Sequence, residues 1–203
     1  MASQVVAIGA STGGLGALQT ILSALPADFP AALLIVQHRK AAAKDLLSEI
    51  LGRTCLLGVQ EATDKMLIRT GQVYLAPANY HLLVERDYSL SLSIDERVSY
   101  ARPSIDVLFE TAAEAYGKNL VGVLLTGANH DGTAGFRRIK AQRGLTIAQD
   151  PETAEAQTMP QSAIQAGVVD LVLSLEKIAG YLKHYFEREL SHDVTTTEST
   201  PHI

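Results

Sequence analysis

The sequence predicts an α/β fold with a doubly wound, mostly parallel sheet flanked by helices and an inserted antiparallel β segment around residues 71–94. Three observations support this fold class. Short apolar runs alternate along the chain with segments of helical periodicity. The run AALLIVQ (31–37) is apolar at nearly every position, as expected for a strand that is buried on both faces of a parallel sheet. The stretch SLSLSI (89–94) instead alternates polar and apolar residues, which is typical of an antiparallel ribbon.

The N-terminal part of the chain is predicted to alternate between strands and helices. The first strand runs into the glycine-rich stretch GASTGG (9–14), and the first helix stops before Pro26 because proline cannot continue a helix. Within 71–94, the turn residues Pro77-Ala78-Asn79 and Arg86-Asp87 separate three short apolar runs, which predicts antiparallel strands joined by turns. The predicted strands are 4–9, 31–37 and 56–59, and the predicted helices are 15–25 and 43–52.

Strand–helix units return in the C-terminal part. In PSIDVLFETAAEAYG, apolar residues recur at helical spacing, and Gly117 stands where a C-terminal cap belongs. The tail SHDVTTTESTPHI has no apolar periodicity, so we assign the folded domain to 1–190 and a mobile tail to 191–203. The remaining predicted strands are 120–125 and 145–149, and the remaining helices are 132–142 and one marked by apolar residues from Leu175 to Phe186.

Composition narrows the class of protein. With 203 residues, 47% of them hydrophobic and 19% charged, the chain has the profile of an ordinary globular domain. A net charge of −5 and the lack of a basic stripe argue against a nucleic-acid-binding protein. Cys55 is the single cysteine, which excludes an internal disulfide and suits a reducing compartment. There is no secretory signal pattern and no apolar run of membrane-spanning length, so we expect a cytoplasmic protein without membrane insertion.

The candidate chemistry lies at the ends of the predicted strands. In a doubly wound sheet, functional groups gather at the carboxyl ends of the strands. There the sequence places Ser11, His38 and Asp131, which are the residue types of a nucleophile, a base and the acid that orients the base. Gly9 and Gly13 flank Ser11 at the spacing of a nucleophile elbow, in which the backbone N–H of the next residue points at the developing oxyanion.

Spacing alone leaves other interpretations open. GASTGG could bind phosphate at a helix N-terminus, although it lacks the lysine of a P-loop and fits the dinucleotide pattern GxGxxG poorly, because Ser11 stands at the second glycine. His38 could be a buried structural histidine, and Asp131 could simply cap the helix that follows it. The chain order Ser, His, Asp also differs from the Ser, Asp, His order of the α/β-hydrolases.

Several motifs together resemble one known family. AIGASTGG, FPAALLIVQH, GQVYLAPANYHLLV, PSIDVLF, GVLLTGANHDGTAGF, TIAQD and MPQSAI follow one another in the order found in the catalytic domain of the bacterial chemotaxis protein-glutamate methylesterases, the CheB family. The resemblance extends from about residue 4 to residue 186. An ordered set of motifs is far more specific than any single motif.

The resemblance implies a serine hydrolase that demethylates glutamate methyl esters on the cytoplasmic helices of chemoreceptors, releases methanol and in some members deamidates receptor glutamines. It implies a methylated chemoreceptor cytoplasmic domain as the protein substrate, with no metal and no cofactor. Backbone N–H groups of Thr12 and Ala128 are expected to hold the oxyanion. At the matching positions, the catalytic residues are Ser11, His38 and Asp131, and the turn glycines are Gly9, Gly13 and Gly14.

The loop before the predicted catalytic acid departs from the family pattern. Members typically carry T-G-M-G-x-D-G, whereas this chain has Thr126-Gly127-Ala128-Asn129-His130-Asp131-Gly132. If position 129 requires a positive φ, asparagine tolerates it better than most residues. Asn129, His130 and His81 are candidates for the rim of the site. We expect His130 to face solvent and His81 to be structural or rim-lining, with His81 as the second candidate base if His38 points away.

Two further departures concern partners. Arg39 follows His38 where relatives usually carry an apolar residue, and together with Lys40 it could change how a partner docks. Typical members also carry an N-terminal receiver domain, but the first catalytic strand begins here by residue 5, so the chain is either natively single-domain and constitutively open or an excised fragment. A separate regulatory chain is a further candidate partner. The main alternative function is a catalytically weakened or inactive binding protein of a chemosensory pathway.

Overall fold

The computed structural model describes residues 1–39 and 46–197, in which strands and helices alternate. The strands are β1 (Val5–Ala10), β2 (Ala32–Gln37), β3 (Gly58–Glu61), β4 (Met66–Leu67), β5 (Gln72–Leu75), β6 (His81–Val84), β7 (Ser89–Ser93), β8 (Leu120–Leu124), β9 (Leu145–Gln149) and β10 (Leu171–Leu173). The helices are α1 (Gly14–Ser23), α2 (Leu47–Gly52), α3 (Ile105–Tyr116), α4 (Thr133–Ala141), α5 (Thr158–Gln165) and α6 (Leu175–Thr197). Within these described ranges, no helix combines the length and the apolar character that a membrane span requires.

A parallel sheet of seven strands forms the centre of the fold, in the order β10-β9-β8-β1-β2-β5-β3. Each pair of neighbouring strands in this sheet is parallel. Strands β4, β7 and β6 form a separate antiparallel sheet. The predicted fold class, a doubly wound parallel sheet with an inserted antiparallel segment, is therefore confirmed.

The two faces of the parallel sheet pack against different helices. Along β1, Val5 and Ala7 belong to the core that includes residues of α3 and α4. The alternate residues Val6 and Ile8 belong to the core that includes residues of α1 and α6. Successive side chains of a strand point to opposite faces, so a strand with helices on both sides must be apolar at every position. This explains the uninterrupted apolar runs in the sequence.

The predicted antiparallel segment 71–94 is wrong for its first strand. β5 pairs in parallel with both β2 and β3 and so belongs to the main sheet. Its residues Val73, Tyr74 and Leu75 are all buried, which is the pattern of a strand covered on both faces. The other two runs, β6 and β7, do form the expected antiparallel ribbon.

Short elements and element ends account for the other differences. α5 and β10 are not predicted because they contain only 8 and 3 residues, too few to show a clear period. β3 begins two residues later than predicted, at Gly58. α2 begins at Leu47, and residues 43–45 of the predicted helix lie outside the described residues. α6 continues to Thr197, past residue 190, where we place the end of the domain; the mobility of 191–203 stays a prediction.

Helices α3 and α4 approach each other closely at Gly135. A Cβ atom added at this glycine would overlap the Cβ of Phe109, an atom held in place by the backbone of α3. The Phe109 ring is fully buried and stacks on Phe136, with ring centroids 5.3 Å apart. The contact between the two helices therefore depends on the lack of a side chain at Gly135.

We expect Gly135→Ala to lower the free energy of unfolding by about 1–3 kcal/mol, because the overlap with Phe109 forces the helices apart. Gly180→Ala is the matched control: it lies in α6 with no atom within 4 Å of the added Cβ, and it should raise the free energy of unfolding by about 0.5–1 kcal/mol through helix propensity. Urea unfolding of both variants measures the contrast. Equal stabilisation by the two substitutions would contradict the close packing.

Candidate active site

The carboxyl ends of β8, β1 and β2 meet at one edge of the sheet, because these strands are neighbours. Hydrogen bonding continues past the strands: Ser11 N–H donates to Thr126 O, and His38 N–H donates to Ala10 O, each at 2.9 Å. These bonds hold the backbones of Ser11 and His38 side by side. Asp131 lies in the loop between β8 and α4. The structure thus brings the three residues predicted at the strand ends to one place.

Their side chains form a hydrogen-bonded chain. Ser11 Oγ lies 3.3 Å from His38 Nδ1, and His38 Nε2 lies 2.8 Å from Asp131 Oδ2. A neutral imidazole in this orientation carries its proton on Nε2, where it donates to the carboxylate, and presents the Nδ1 lone pair to Ser11. The His38 side chain is 12% exposed and that of Asp131 is 0% exposed. The ring is therefore open to a substrate, whereas the carboxylate is not.

Asp131 accepts hydrogen bonds at both carboxylate oxygens. Oδ1 accepts from the Ser104 hydroxyl and the Asp106 N–H, each at 2.9 Å, and Oδ2 accepts from the Ile105 N–H at 2.8 Å as well as from His38. Burial by itself raises the pKa of Asp131, but the bonds from His38 and from the two backbone N–H groups outweigh it and hold the pKa below its ordinary value. The group beside His38 is therefore a carboxylate anion at neutral pH.

Asp131 and Asp106 cap each other's helices. The N–H groups that Asp131 accepts belong to the first turn of α3, which has no other side-chain cap. Asp106 in turn accepts from the N–H groups of Gly132 and Gly135 at the start of α4, at 2.9 and 2.8 Å. Burial, and then the nearby charge of Asp131, raise the pKa of Asp106 to about 6. Asp106 is not among the residues predicted for the site, although a carboxylate in the first turn of a predicted helix is a visible signal.

The predicted turn glycines stand where side chains do not fit. Gly13, directly before α1, has a φ of 76°, which L side chains rarely adopt. A Cβ on Gly14 would overlap Gln37 Oε1, and a Cβ on Gly9 would overlap the Ile105 side chain. The sharp passage from β1 into α1, with Ser11 at the turn, depends on this lack of side chains.

Two further polar side chains at the strand ends hold the site together. Gln37 Nε2 donates to Ser11 O at 2.8 Å and to His38 O at 3.0 Å. Thr126 Oγ1 donates to Thr12 O at 2.8 Å. Neither residue is predicted from the sequence, but each is the polar residue that ends a buried apolar run, and that position could have indicated them.

Two backbone N–H groups are available to bind an oxyanion. In the described part of the chain, neither Thr12 N–H nor Ala128 N–H donates to a protein acceptor. Thr12 follows Ser11, and the loop that carries Ala128 packs on the same turn, since a Cβ on Gly127 would lie 2.9 Å from Ser11 Cβ. Free backbone donors beside a nucleophile can stabilise the negative oxygen of a tetrahedral intermediate.

The glycine-rich turn is poorly suited to phosphate. Glu155 covers Gly13 so closely that an added Cβ would lie 2.8 Å from Glu155 Oε2. A carboxylate there would repel a phosphate group at the start of α1. Among the residues that the structure describes, no group of three His, Cys, Asp or Glu side chains could hold a metal ion.

Comparison with known proteins identifies the family of this chain. A family model described as CheB methylesterase matches residues 6–182. The chain belongs to the CheB methylesterase family. The solved catalytic domain of Thermotoga maritima CheB methylesterase superposes with a TM-score of 0.86 at 36% identity, covering 90% of this chain and 98% of that domain.

CheB relatives of two lengths are similar to this chain. A Leptospira interrogans protein, provisionally named protein-glutamate methylesterase/protein-glutamine glutaminase, is 52% identical over 87% of this chain and 91% of its own length. Proteins with the same two names in Syntrophus aciditrophicus and Moorella thermoacetica are 39% and 43% identical over 87% of this chain. The matched region makes up only 52% and 42% of their respective lengths.

Asn129 replaces a glycine of the CheB pattern and contacts the proposed base. Its Nδ2 lies 3.3 Å from His38 Nδ1, the same nitrogen that faces Ser11, and its Oδ1 accepts from the Asp131 N–H at 3.2 Å. Asn129 does not have a positive φ, so the loop keeps its shape without a glycine. Asn129 lines a cleft beside His38.

The two other predicted rim histidines have different surroundings. His130 is exposed, as expected, and its Nδ1 lies 2.7 Å from Ser162 Oγ on α5. His81 is only 2% exposed: its Nε2 donates to Glu96 O at 3.0 Å, and its Nδ1 accepts from the Ser104 N–H at 3.2 Å. Both ring nitrogens of His81 are thus occupied by backbone groups, and its side chain is not exposed at the rim. Of the two roles expected for His81, these contacts favour the structural one, and His38 points toward Ser11 and Asp131.

We expect Asp106→Asn to change how stability depends on pH. The unfolded chain releases the Asp106 proton near pH 4, whereas the folded protein holds it to about 6, so this group makes the free energy of unfolding fall as pH rises between those values. Over this pH range the titration of Asp106 lowers the free energy of unfolding by about 3 kcal/mol. Asparagine can still accept from Gly132 and Gly135 but does not titrate, so its curve should be flatter in urea unfolding between pH 4 and 7.5.

Asp28→Asn, which removes an exposed carboxylate, is the control for the loss of one charge. Parallel stability curves for the wild-type protein and Asp106→Asn would contradict the raised pKa of Asp106.

Proposed function

We propose that the protein is a protein-glutamate methylesterase that hydrolyses glutamate methyl esters on a chemoreceptor cytoplasmic domain, and that it also deamidates receptor glutamines. The observation that carries the proposal is the hydrogen-bonded chain from Ser11 through His38 to buried Asp131 in a member of the CheB methylesterase family. The names of the Leptospira, Syntrophus and Moorella relatives give the same two activities. Such an enzyme acts in chemosensory signal transduction in the cytoplasm, where this receptor domain lies.

The first half-reaction forms an acyl-enzyme. His38 Nδ1 takes the proton of Ser11 Oγ as this oxygen attacks the ester carbonyl carbon. Asp131, held ionised by its hydrogen bonds, stabilises the imidazolium that results. The carbonyl oxygen becomes an oxyanion and accepts from the Thr12 and Ala128 N–H groups; the loss of one such donor typically costs about 3–4 kcal/mol. Collapse of the intermediate breaks the bond to methoxide, which takes the proton from Nδ1 and leaves as methanol.

The second half-reaction restores the enzyme. Water gives a proton to His38 Nδ1 and attacks the carbonyl carbon of the Ser11 ester, forming a second tetrahedral intermediate. Its collapse returns the proton to Ser11 Oγ and frees the glutamate carboxyl group. With a glutamine substrate the same steps release ammonia instead of methanol, so esterase and deamidase activities need no further residue.

A catalytically weakened protein is the second candidate, and one observation favours it. Asn129 Nδ2 donates to the His38 lone pair that must receive the Ser11 proton. Asn129 cannot readily reverse its amide, because Oδ1 already accepts from the Asp131 N–H. In this case the protein would bind a methylated receptor but turn over slowly.

Methanol release from a methylated receptor cytoplasmic fragment tests the proposed function. We expect the wild-type protein to release methanol and Ser11→Ala to lower kcat by a factor on the order of 10⁴ or more, because the nucleophile is lost. Ser3→Ala, at an exposed serine outside the site, is the control and should behave as wild type. Equal release by Ser11→Ala would refute Ser11 as the nucleophile, and no release by the wild-type protein with intact binding would favour the weakened candidate.

Removal of the Asn129 side chain is expected to speed catalysis. Asn129→Gly abolishes a hydrogen bond that exists before proton transfer and is lost during it, so kcat should rise about two- to tenfold. His130→Ala, in the same loop but bonded to Ser162, is the control and should leave kcat unchanged. A fall in kcat for Asn129→Gly would instead make Asn129 a residue that holds His38 in place. The measurement is methanol release at saturating substrate.

A further inference from the structure

A cleft opens beside the proposed base. It has a volume of about 560 Å³, and His38 and Asn129 form part of its lining. Segment 97–103 forms another part, through Arg97, Tyr100 and Arg102 among others. His38 connects the cleft to Ser11, because its Nδ1 lies 3.3 Å from Ser11 Oγ.

The charge of this cleft is opposite to that of the whole protein. Apart from His38, its ionisable lining residues within the described chain are Arg39, Arg97 and Arg102, together with the phenol of Tyr100, and none of them is a carboxylate. The protein as a whole carries a net charge of −5. We call this feature the arginine cleft. A local positive site on an acidic protein attracts anionic groups to one place, next to the nucleophile.

The three arginines differ in how they are held. Arg39 donates to Glu61 at 2.6 Å and to Ala76 O at 2.9 Å. Arg102 donates from Nη1 to Ile94 O and Asp95 O, at 2.6 and 2.9 Å, while its buried Nε has no hydrogen-bond partner.

Arg97 is exposed and pairs with no carboxylate in the described part of the chain. Glu61 balances the charge of Arg39. The uncompensated positive charge of the cleft therefore comes from Arg102, whose guanidinium donates to backbone carbonyls, and from Arg97, which can bind a carboxylate from outside.

The loop that carries Arg97 presents an aromatic ring to solvent at some conformational cost. Val98 and Ala101 pair through two backbone bonds of 3.2 and 2.9 Å, and between them Ser99 and Tyr100 have φ values of 51° and 63°. Two successive positive φ angles define a turn that favours glycine and asparagine. Tyr100 is nevertheless 97% exposed in this conformation. Strained backbone and exposed aromatic side chains are typical of binding surfaces.

We propose that the arginine cleft binds an acidic side chain of the protein substrate, close in space to the esterified glutamate, with Arg97 as the main contact. The inference rests on the proposed function, because it places the ester at Ser11. A guanidinium group forms charge-assisted, often bidentate hydrogen bonds with a carboxylate. The enzyme would thereby favour esters on acidic helical segments over esters in neutral surroundings.

The experiment uses helical peptides that carry one glutamate methyl ester and, three or four residues away on either side, a single Glu or Gln. Side chains at this spacing lie on the same face of a helix. Binding is measured by fluorescence anisotropy with Ser11→Ala, which leaves the ester intact. The same protein with Arg97→Gln, Arg97→Lys or Arg137→Gln is compared, Arg137 being an exposed arginine of α4 outside the cleft. Methanol release by the corresponding proteins with Ser11 is measured in parallel.

We expect at least one Glu peptide to bind about three- to tenfold more tightly than its Gln partner. Arg97→Gln should bring this ratio close to one, Arg97→Lys should retain most of it, and Arg137→Gln should leave it unchanged. An unchanged ratio in Arg97→Gln, or no preference for any Glu peptide, would overturn the proposal. A failure of the proposed function gives a different result, in which no methanol is released from any peptide. An Arg97-dependent preference for a Glu peptide would, even then, support the binding of an acidic side chain in the arginine cleft.

Discussion

The site depends on a reciprocal pair of helix caps, in which the Asp131 carboxylate caps α3 and the Asp106 carboxylate caps α4. The Ser104 hydroxyl and the Ile105 and Asp106 N–H groups donate to Asp131. The N-terminus of α3, and not the loop alone, therefore fixes the position of the carboxylate that accepts from His38. Asp106 in turn accepts hydrogen bonds from the N–H groups at the start of α4. Neither carboxylate can move without uncapping a helix. Since the positive ends of two helices meet here, the fold itself stabilises the anion beside the proposed base.

Strand order explains why the site forms at this edge. The central strand β1 has β2 on one side and β8 on the other. The chain reaches β2 through α1 on one face of the sheet and β8 through α3 on the opposite face, so the loops at this edge separate and leave a crevice. Ser11 is at the end of the central strand, and its two partners come from the flanking ones. The elements then have to approach closely, which Gly14 and Gly127 permit because neither has a side chain. Gln37 joins the Ser11 and His38 backbones across this gap.

The sequence alone predicts Ser11, His38 and Asp131, because each follows an apolar run and parallel strands end at a common edge. It also predicts most strands and helices. It does not predict the contacts of Asp106 or the approach of Asn129 to His38, since both join segments far apart in the chain. The run around Val73 is too short to show whether its strand is parallel, and the burial of His81 depends on the Glu96 and Ser104 backbone. Local sequence patterns show the periodicity of strands and helices, whereas these features depend on contacts that only the tertiary structure brings together.

The charges around His38 connect substrate binding to the chemical step. Asp131 lies behind the ring as a buried anion, and the arginine cleft lies on the open side. When His38 becomes an imidazolium, Asp131 stabilises the new charge and the arginines oppose it. A carboxylate bound in the cleft would neutralise the arginines, and this benefit is larger in the charged transition state than in the neutral ground state. Such an interaction raises kcat and not only affinity, because only differential stabilisation accelerates the reaction. An acidic neighbour of the ester would then act on both recognition and rate.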